Sequence, residues 1–331
     1  MKYLSLFSGI GSEHVAWKNL DWECIYNCEN DKTASRVLSF HYPNIPNLGD
    51  IKQIDWQTLE HPDLIIGGSP CQSFSQLGKN KGLNDENGKL ALAYAKAIKE
   101  LKPRFFIWEN VKSALYSKNN GFGCLLSELL GENEEIYPLQ KNWKNAGFFI
   151  GNQTAIAYRV LDCQHFGIPQ RRKRIFMLGM HFGNTGTLDE IKWEKFPGLP
   201  AAILFEAIDN TEYKRETRKK YKISRDNFIV DSSSISFKGR NSIHYDVFPA
   251  ITKKSPYIYY NGIFRKITPV EMERLQGFPD NYSYCDGISN HKRYHLLGNS
   301  IPTNMLEFLG RNIDFTVKQL IKENHYGFNT K

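Results

Sequence analysis

The sequence predicts an α/β protein with a doubly wound, mostly parallel sheet and a second, smaller domain. Short apolar runs alternate with helical segments as far as about residue 185, which is typical of a parallel sheet covered by helices on both faces. Beyond that point the alternation stops, and irregular polar and aromatic sequence follows. We therefore expect a main domain over 1–185 and a second, smaller domain over 186–264.

The strands of this sheet are expected to end at polar or glycine-rich turns. In doubly wound sheets the ligand lies at the carboxyl ends of the strands, so the motifs that follow them should converge there. The predicted strands cover 4–7, 24–28, 63–68, 104–108, 155–160 and 174–178, and the predicted helices cover 13–20, 33–40, 90–101 and 305–323.

Composition excludes several classes of protein. The 331 residues are 41% apolar and 24% charged, which is ordinary for a globular protein and excludes a disordered chain or a collagen. The sequence has no run of about 18 apolar residues and no signal-peptide core, so we expect a cytoplasmic protein without membrane contact. The net charge of +8 permits a polyanionic partner without proving one.

The six cysteines are few for this length and are expected to remain reduced. Cys24 and Cys28 are close in sequence, but no second Cys/His pair completes a zinc set. The sequence therefore predicts no metal site.

A glycine turn follows the first predicted strand, with Gly9 and Gly11 before the first helix. A dinucleotide site would need a third glycine where His14 stands, so the turn favours an adenosine ligand without a pyrophosphate. Glu29, after the second strand, could accept hydrogen bonds from both ribose hydroxyls. Asp50 could accept one from the adenine amino group. Ordinary turn chemistry is the alternative for each residue.

Candidate catalytic residues follow the later strands. Cys71 lies in a polar loop flanked by glycines, where a thiol can act as a nucleophile, and the loop then continues to residue 88 as a predicted mobile flap. Glu109 at an apolar strand end should have a raised pKa, although it could instead cap the next turn. Arg172 and Arg174 should point the same way along a strand, or else form a solvated basic turn.

On these motifs, which occur together and in order, the chain closely resembles the DNA (cytosine-5)-methyltransferases, mostly bacterial and phage enzymes of restriction–modification type. One motif alone is weak, whereas the ordered series is specific. The matching residues are 7–11 (Phe-Ser-Gly-Ile-Gly), Glu29, 49–51 (Gly-Asp-Ile), 70–72 (Pro-Cys-Gln), 109–111 (Glu-Asn-Val), 170–174 (Gln-Arg-Arg-Lys-Arg), Arg265 with 269–271 (Pro-Val-Glu), 274–279 (Arg-Leu-Gln-Gly-Phe-Pro) and 298–300 (Gly-Asn-Ser).

The resemblance implies an S-adenosylmethionine-dependent methyltransferase fold, with S-adenosylmethionine as cofactor and duplex DNA as partner. It implies that 186–264 is a target-recognition domain, that 265–293 is a hinge region, and that 294–331 returns to complete the catalytic and cofactor-binding domain of 1–185. A cognate restriction endonuclease acting on the same DNA site remains an open further partner, and we expect a monomer. The implied cofactor site consists of Phe7, Gly9, Ile10, Gly11, Glu29, Asn30, Asp50, Ile51, Pro70, Leu90 and Asn299.

The chain departs from the family pattern at three positions. Ser12 stands where a glycine is frequent, and Leu296 stands where Gln is frequent. Asn30 replaces a large apolar residue, which puts stacking on the adenine in doubt.

The resemblance also implies a mechanism. The Cys71 thiolate would add to carbon 6 of a flipped-out cytosine, Glu109 would protonate nitrogen 3, and Arg174 would bond the ring carbonyl oxygen, with Arg172 holding the loop or the base. The basic run over 214–225 is either a solvated face or a phosphate-binding segment. The predicted DNA contacts are Gln72, Ser75, Gln76, Leu77, Lys79, Lys214, Arg215, Arg218, Lys219, Lys220 and Arg265.

Three alternative functions remain open. A tRNA cytosine-5 methyltransferase would share the fold, but its Cys-Phe-Thr signature is absent from 186–264. A catalytically silent DNA-binding protein conflicts with the intact Cys71, Glu109, Arg172 and Arg174. A nicotinamide oxidoreductase conflicts with the missing third glycine at His14.

Overall fold

The structure is a computed structural model that describes most of the chain. The described residues are 1–70, 88–117, 119–183, 188, 191–205, 228–230, 243–244, 247–252 and 256–326.

Strands and helices alternate through the first half of the chain. Apolar runs form the strands, and Asp31 caps the second helix by accepting hydrogen bonds from the backbone N–H groups of Thr33 and Ala34. The elements are β1 (Lys2–Leu6), α1 (Ser12–Trp17), β2 (Glu23–Cys28), α2 (Lys32–His41), β3 (Leu64–Gly67), α3 (Gly88–Leu101), β4 (Phe105–Val111), α4 (Gly121–Leu130), β5 (Ala146–Ile150), β6 (Thr154–Asp162), β7 (Gln170–Arg171), β8 (Lys173–His181) and α5 (Leu199–Phe205).

The second half has short strands followed by helices. A capping box formed by Thr268 and Glu271 begins the first of these helices. The elements are β9 (Phe228–Val230), β10 (Ile243–His244), β11 (Phe248–Pro249), β12 (Tyr257–Tyr260), β13 (Ile263–Lys266), α6 (Pro269–Leu275), α7 (Asn290–Asn299) and α8 (Thr303–Tyr326).

Seven of these strands form one mixed sheet in the order β2-β1-β3-β4-β8-β6-β5. The β1–β2, β1–β3 and β3–β4 pairs are parallel, whereas β8 runs antiparallel to both β4 and β6, and β5 runs antiparallel to β6. The predicted α/β fold is confirmed, and most strands of the sheet run in one direction. The antiparallel pairs were not predicted, because the alternation of strands and helices carries no signal for the direction of β8.

The sheet has an apolar core on each face. One core contains α3 and α4, and the other contains α1, α5 and α8. The last helix packs closely on α1, where Trp17 Nε1 donates a hydrogen bond to the Leu306 carbonyl oxygen at 2.8 Å. Gly310 permits this approach, since a Cβ there would lie 2.4 Å from Trp17 Nε1. Among the described helices, none is long and apolar enough to cross a membrane.

A second sheet, in the order β10-β9-β12-β13, lies within the segment predicted as the smaller domain and the region after it. A third apolar cluster links this part to α2, α6 and α7 through buried Ile251 and Ile267. In addition, β11 pairs in parallel with β7, so residues 248–249 lie beside the short strand that immediately precedes Arg172. The domain boundaries themselves remain predictions.

Candidate active site

The glycine turn after β1 is held open by hydrogen bonds from the chain around it. The Gly9 N–H donates to Glu29 Oε2 at 2.7 Å, and the Gly11 N–H donates to the Ser8 oxygen at 2.9 Å. Gly9 has a φ of +56° and nothing within 4 Å of an added Cβ, so its backbone borders open space. A ligand can therefore approach this turn closely.

Glu29 lies just after β2 and organises the turn from the other side. Its Oε1 accepts a hydrogen bond from the Asp31 N–H at 2.7 Å. Burial raises the pKa of Glu29 above its ordinary value, and the backbone donors at Asp31 and Gly9 offset part of that rise. The carboxyl group predicted to accept ribose hydroxyls thus also fixes the backbone around Gly9.

A partly open cavity of about 50 Å³ lies at the carboxyl ends of β1, β3 and β4; we call it the strand-end cavity. Of the residues predicted for the cofactor, it brings together Phe7, Gly9, Ile10 and Asn299 and places Glu109 in the same wall. Its lining comprises residues 5–10, 12–13, 66–68, 109 and 299–301.

Glu109 and Arg174 form an ion pair across neighbouring strands. The Arg174 Nε lies 3.0 Å from Glu109 Oε1, and both side chains are largely buried. Burial raises the pKa of Glu109, while the positive charges of Arg174 and Arg172 lower it by a smaller amount. Because β4 continues to Val111, Glu109 lies inside the strand, and the expectation that it ends the strand or caps a turn is wrong.

The segment that leads to Cys71 is fixed directly beside Glu109. Asn110 Nδ2 donates to the Ser69 carbonyl oxygen at 2.7 Å, and Trp108 Nε1 donates to Ser69 Oγ at 3.2 Å. A Cβ on Gly68 would lie 3.0 Å from Glu109 Oε2, a tight contact that the carboxylate would have to relieve by moving a few tenths of an ångström. No role was predicted for Ser69 or Trp108, because no local sequence pattern indicates this contact.

Arg172 is buried, with 2% of its surface exposed, and lies just before β8. Its Nη1 donates to the Ile251 oxygen at 2.6 Å, and its Nη2 donates to the Gly298 and Ser300 oxygens at 3.0 and 2.9 Å. Of the two expected roles, holding a loop or holding the base, the contacts fit the first. Burial and the nearby Arg174 charge lower the pKa of Arg172 to about 9. Because this value is still above neutral pH, Arg172 remains protonated there.

Gln170 completes this junction, and sequence reasoning missed its role. Its Oε1 accepts a hydrogen bond from the Ile251 N–H at 2.9 Å, and its Nε2 donates to the Leu275 oxygen at 2.7 Å. Both backbone groups of Ile251 are therefore held by the segment that precedes β8. The only signal in the sequence was a glutamine at the start of a basic run.

Comparison with known proteins decides the family. The family model for C-5 cytosine-specific DNA methylases matches residues 1–314. The chain belongs to that family. It is 29% identical to the type II methyltransferase M.HpaII of Haemophilus parainfluenzae, over 94% of this chain and 88% of the relative. It is 26% identical to M.HhaI of Haemophilus parahaemolyticus, over 95% of this chain and 94% of the relative.

Two further similarities say less about the function of this C-5 cytosine-specific DNA methylase. A protein of Escherichia phage P1 named DNA N-6-adenine-methyltransferase is 32% identical over 75% of this chain, but the match spans only 36% of that protein. The Dnmt2 methyltransferase of S. pombe superposes with a TM-score of 0.63 at 19% identity, over 97% of this chain and 99% of that one. The second similarity shows a shared fold.

Methyltransferases of this family use S-adenosylmethionine, and the described residues fit such a group. Gly9 lines the strand-end cavity with an open backbone, and its N–H is hydrogen-bonded to the Glu29 carboxylate at the end of β2. Gly11 shapes the turn with a φ of +79°. The hydroxyl and amino groups of adenosine can donate hydrogen bonds, and the Glu29 carboxylate can accept them.

The other predicted cofactor residues lie outside the strand-end cavity. Asp50 Oδ1 accepts a hydrogen bond from the Lys52 N–H at 3.1 Å, and Ile51 is buried. Asn30 and Pro70 are exposed, and Leu90 packs partly buried against the α3 core. Whether they bind the cofactor remains a prediction.

Most of the predicted DNA contacts lie outside the described residues. Cys71 and five of these contacts (Gln72, Ser75, Gln76, Leu77 and Lys79) fall outside the described residues, as do Lys214, Arg215, Arg218, Lys219 and Lys220. Arg265 is described, and its two terminal nitrogens donate to the two carboxylate oxygens of Glu271, each at 2.8 Å. This pairing holds β13 to the start of α6 and competes with a phosphate for the same guanidinium.

Proposed function

We propose that the protein transfers a methyl group from S-adenosylmethionine to carbon 5 of a flipped-out cytosine in a specific duplex DNA sequence. The observation that carries this proposal is the position of Glu109, which lines the strand-end cavity and touches Gly68. Gly68 lies three residues before Cys71 in the chain. The proposed proton donor therefore stands beside the segment that carries the proposed nucleophile.

Cys71 supplies the nucleophile in this proposal. Carbon 5 of cytosine is a weak nucleophile, and addition of a thiolate to carbon 6 converts the ring to an enamine that can attack an electrophile at carbon 5. Positive charge lowers the pKa of a neighbouring thiol, and Arg172 and Arg174 supply such charge close to Glu109. The assignment of Cys71 rests on the sequence.

Glu109 supplies the proton. Because its pKa is raised, the Glu109 carboxyl group keeps its proton to a higher pH than an ordinary glutamate and can donate it to nitrogen 3 as the Cys71–carbon 6 bond forms. The electron pair of the carbon 5–carbon 6 double bond is then available for the new bond at carbon 5.

Arg174 orients the base. Its Nε pairs with Glu109 and its Nη1 donates to the Lys173 oxygen at 2.8 Å, so its Nη2 remains to donate to the cytosine carbonyl oxygen. The Arg174 side chain would thus position both the Glu109 carboxyl group and the cytosine ring.

The reaction is balanced without an external oxidant or reductant. S-adenosylmethionine supplies an electrophilic methyl group on a sulfonium and leaves as S-adenosylhomocysteine. A base then removes the carbon 5 proton, the double bond reforms, and the Cys71 thiolate leaves. The target must be unstacked from the duplex first, at a cost of a few kcal/mol, because a stacked base cannot reach Glu109.

The basic segments are proposed to bind the DNA backbone. The run over 214–225 would neutralise phosphates, and the loop after Cys71 would contact the DNA around the vacated position. A restriction endonuclease that cuts the same sequence would be the matching partner.

Nucleoside analysis tests this function directly. The purified protein is incubated with S-adenosylmethionine carrying a labelled methyl group and with either mixed-sequence duplex DNA or tRNA. The products are then digested and separated by mass spectrometry. We expect labelled 5-methylcytosine from DNA alone, and bisulfite sequencing then gives the recognition sequence. Label in N6-methyladenine, or in tRNA instead of DNA, would refute the proposal.

A further inference from the structure

A second carboxylate, Glu13, lines the strand-end cavity and has no assigned role. Its side chain is buried, with 4% of the residue exposed, and Ser5 Oγ donates a hydrogen bond to its Oε1 at 2.6 Å. No described residue donates a hydrogen bond to its other oxygen, Oε2. Ser5, Ser12 and Gly9 line the cavity beside it.

The neighbouring histidine does not provide the missing partner. His14 Nε2 lies 3.7 Å from Glu13 Oε1, which is beyond hydrogen-bond distance. That nitrogen is 2.8 Å from Asn27 Oδ1, an acceptor, and is therefore the donor in that bond. The other ring nitrogen of His14 is 2.9 Å from the Tyr3 hydroxyl. Both nitrogens are thus already used.

Among the described residues, the Glu13 carboxyl group therefore has no lysine or arginine partner in the strand-end cavity. The described lining of this cavity contains two carboxylates and no lysine or arginine. Glu109 has Arg174 as its cation, whereas no described lysine or arginine pairs with Glu13, whose nearest described basic group is the His14 ring at 3.7 Å. A buried carboxylate without a cation or a full set of donors is costly, so a ligand that brings a cation with N–H donors would be bound strongly there.

The proposed cofactor carries such a group. S-adenosylmethionine has two cationic centres, a sulfonium and an α-ammonium, and only the ammonium has N–H donors. Glu29 and Asp50 are assigned to the adenosine end, and the methyl group must face the base near Glu109. The amino-acid end then falls to the inner wall of the strand-end cavity, which is formed by β1 and the start of α1.

We propose that Glu13 binds the α-ammonium group of the methionine part of S-adenosylmethionine. The proposal rests on the proposed function and assigns to the same site a residue that the sequence reading overlooked. Ser5 is then a positioning residue, which holds Glu13 Oε1 so that Oε2 faces the cavity.

Two commercially available ligands separate this contact from the rest of the site. S-adenosylhomocysteine retains the ammonium group and lacks the sulfonium, whereas 5′-deoxy-5′-methylthioadenosine lacks the whole amino-acid part. The dissociation constants of both are measured by calorimetry with the full chain. Glu13→Gln should weaken S-adenosylhomocysteine binding about tenfold or more, as expected for a lost charge-assisted hydrogen bond, and change methylthioadenosine binding less than about twofold.

A matched variant at the adenosine end is expected to weaken both ligands instead of one. Glu29→Gln should weaken both ligands, because its carboxylate is assigned to the part that they share. Glu13→Asp keeps the charge with a shorter reach and should fall between Glu13→Gln and the wild type. Thermal unfolding of each variant confirms that it is folded, and Glu13→Asp carries the test if Glu13→Gln does not fold.

The outcomes separate this proposal from the function on which it rests. Wild-type affinity of Glu13→Gln for S-adenosylhomocysteine would overturn the Glu13 assignment and leave the function intact. Equal loss of both ligands would also overturn it, because Glu13 would then be a structural residue. A wild-type protein that binds neither ligand would overturn the proposed function itself and this assignment with it.

Discussion

Arg172 Nη1 donates a hydrogen bond of 2.6 Å to the backbone oxygen of Ile251, which joins the segment before β8 to the segment before β12. The other terminal nitrogen of Arg172 donates to Gly298 and Ser300, on either side of Asn299 in the strand-end cavity. One buried side chain therefore holds together the proposed catalytic strand, the cofactor wall and the region predicted to recognise DNA.

Arg172→Met should destabilise the protein strongly. The change leaves the three carbonyl oxygens of Ile251, Gly298 and Ser300 without their donor, at about 1–3 kcal/mol for each buried group before relaxation. We expect the free energy of unfolding to fall by roughly 2–5 kcal/mol in urea denaturation. Lys173→Met, at the exposed next position, is the control and should change little. Equal stability of the two variants would show that the Arg172 contacts contribute nothing.

Glu109→Gln should abolish most of the turnover while binding persists. Glutamine has a similar shape but cannot deliver a proton to nitrogen 3, and general acid catalysis is worth about 10²–10⁴ in rate. We expect kcat to fall in that range, with the DNA dissociation constant nearly unchanged.

The pH dependence of Glu109 has a defined sign. Burial raises its pKa, and the protonated form is the proposed active one, so its contribution is lost as pH rises through that pKa. The thiolate at Cys71 is favoured in the opposite direction, which predicts a bell-shaped profile of kcat against pH. The Glu109→Gln variant should lose the alkaline limb, and an unchanged profile would exclude Glu109 as the acid.

Glu29 predicts a pH dependence of cofactor affinity. Its ionised form is needed to accept ribose hydroxyls, and burial raises its pKa above the ordinary 4.5. Affinity for S-adenosylhomocysteine should therefore fall as pH falls through that raised pKa, at a higher pH than an exposed glutamate would give. Glu29→Gln should bind weakly and lose this component of the pH dependence. Titration calorimetry between about pH 5 and pH 8 measures both.

Arg265 has two competing roles that salt dependence can separate. A phosphate contact predicts that Arg265→Ala lowers the slope of log affinity for DNA against log salt by about one. The observed pair with Glu271 predicts no change in that slope. Glu271→Ala provides the complement, because it frees the guanidinium and should strengthen DNA binding only if Arg265 reaches a phosphate. We expect the slope to be unchanged by Arg265→Ala.

The sequence predicted the sheet and the positions of its ligand-facing turns well, because strand ends, glycines and carboxylates are local signals. It missed β5, although the turn of Gly151 and Asn152 between two apolar runs is a hairpin signal. It also missed α4, a leucine-rich segment that ends at Gly131. These errors arose from reading for strand–helix alternation alone.

The contacts that build the candidate site were less accessible to prediction. Arg172 meets Ile251 and Gly298 at separations of 79 and 126 residues, so no local pattern indicates those partners. Glu13 was passed over because it reads as the first turn of an amphipathic helix, and its exposure to the strand-end cavity depends on how α1 packs on β1. Cys71 and the basic run over 214–225 lie outside the described residues, so their roles remain predictions.

Covalent trapping tests the central claim most directly. We mix the protein and S-adenosylmethionine with duplex DNA that carries 5-fluorocytosine at the recognition site. A stable protein–DNA adduct should form, because carbon 5 then carries fluorine in place of the proton that a base must remove before the thiolate can leave. We expect peptide mapping to place the bond on Cys71, and we expect Cys71→Ser to bind DNA and cofactor without forming the adduct. Normal methylation of cytosine by Cys71→Ser, or an adduct on a different residue, would contradict the account.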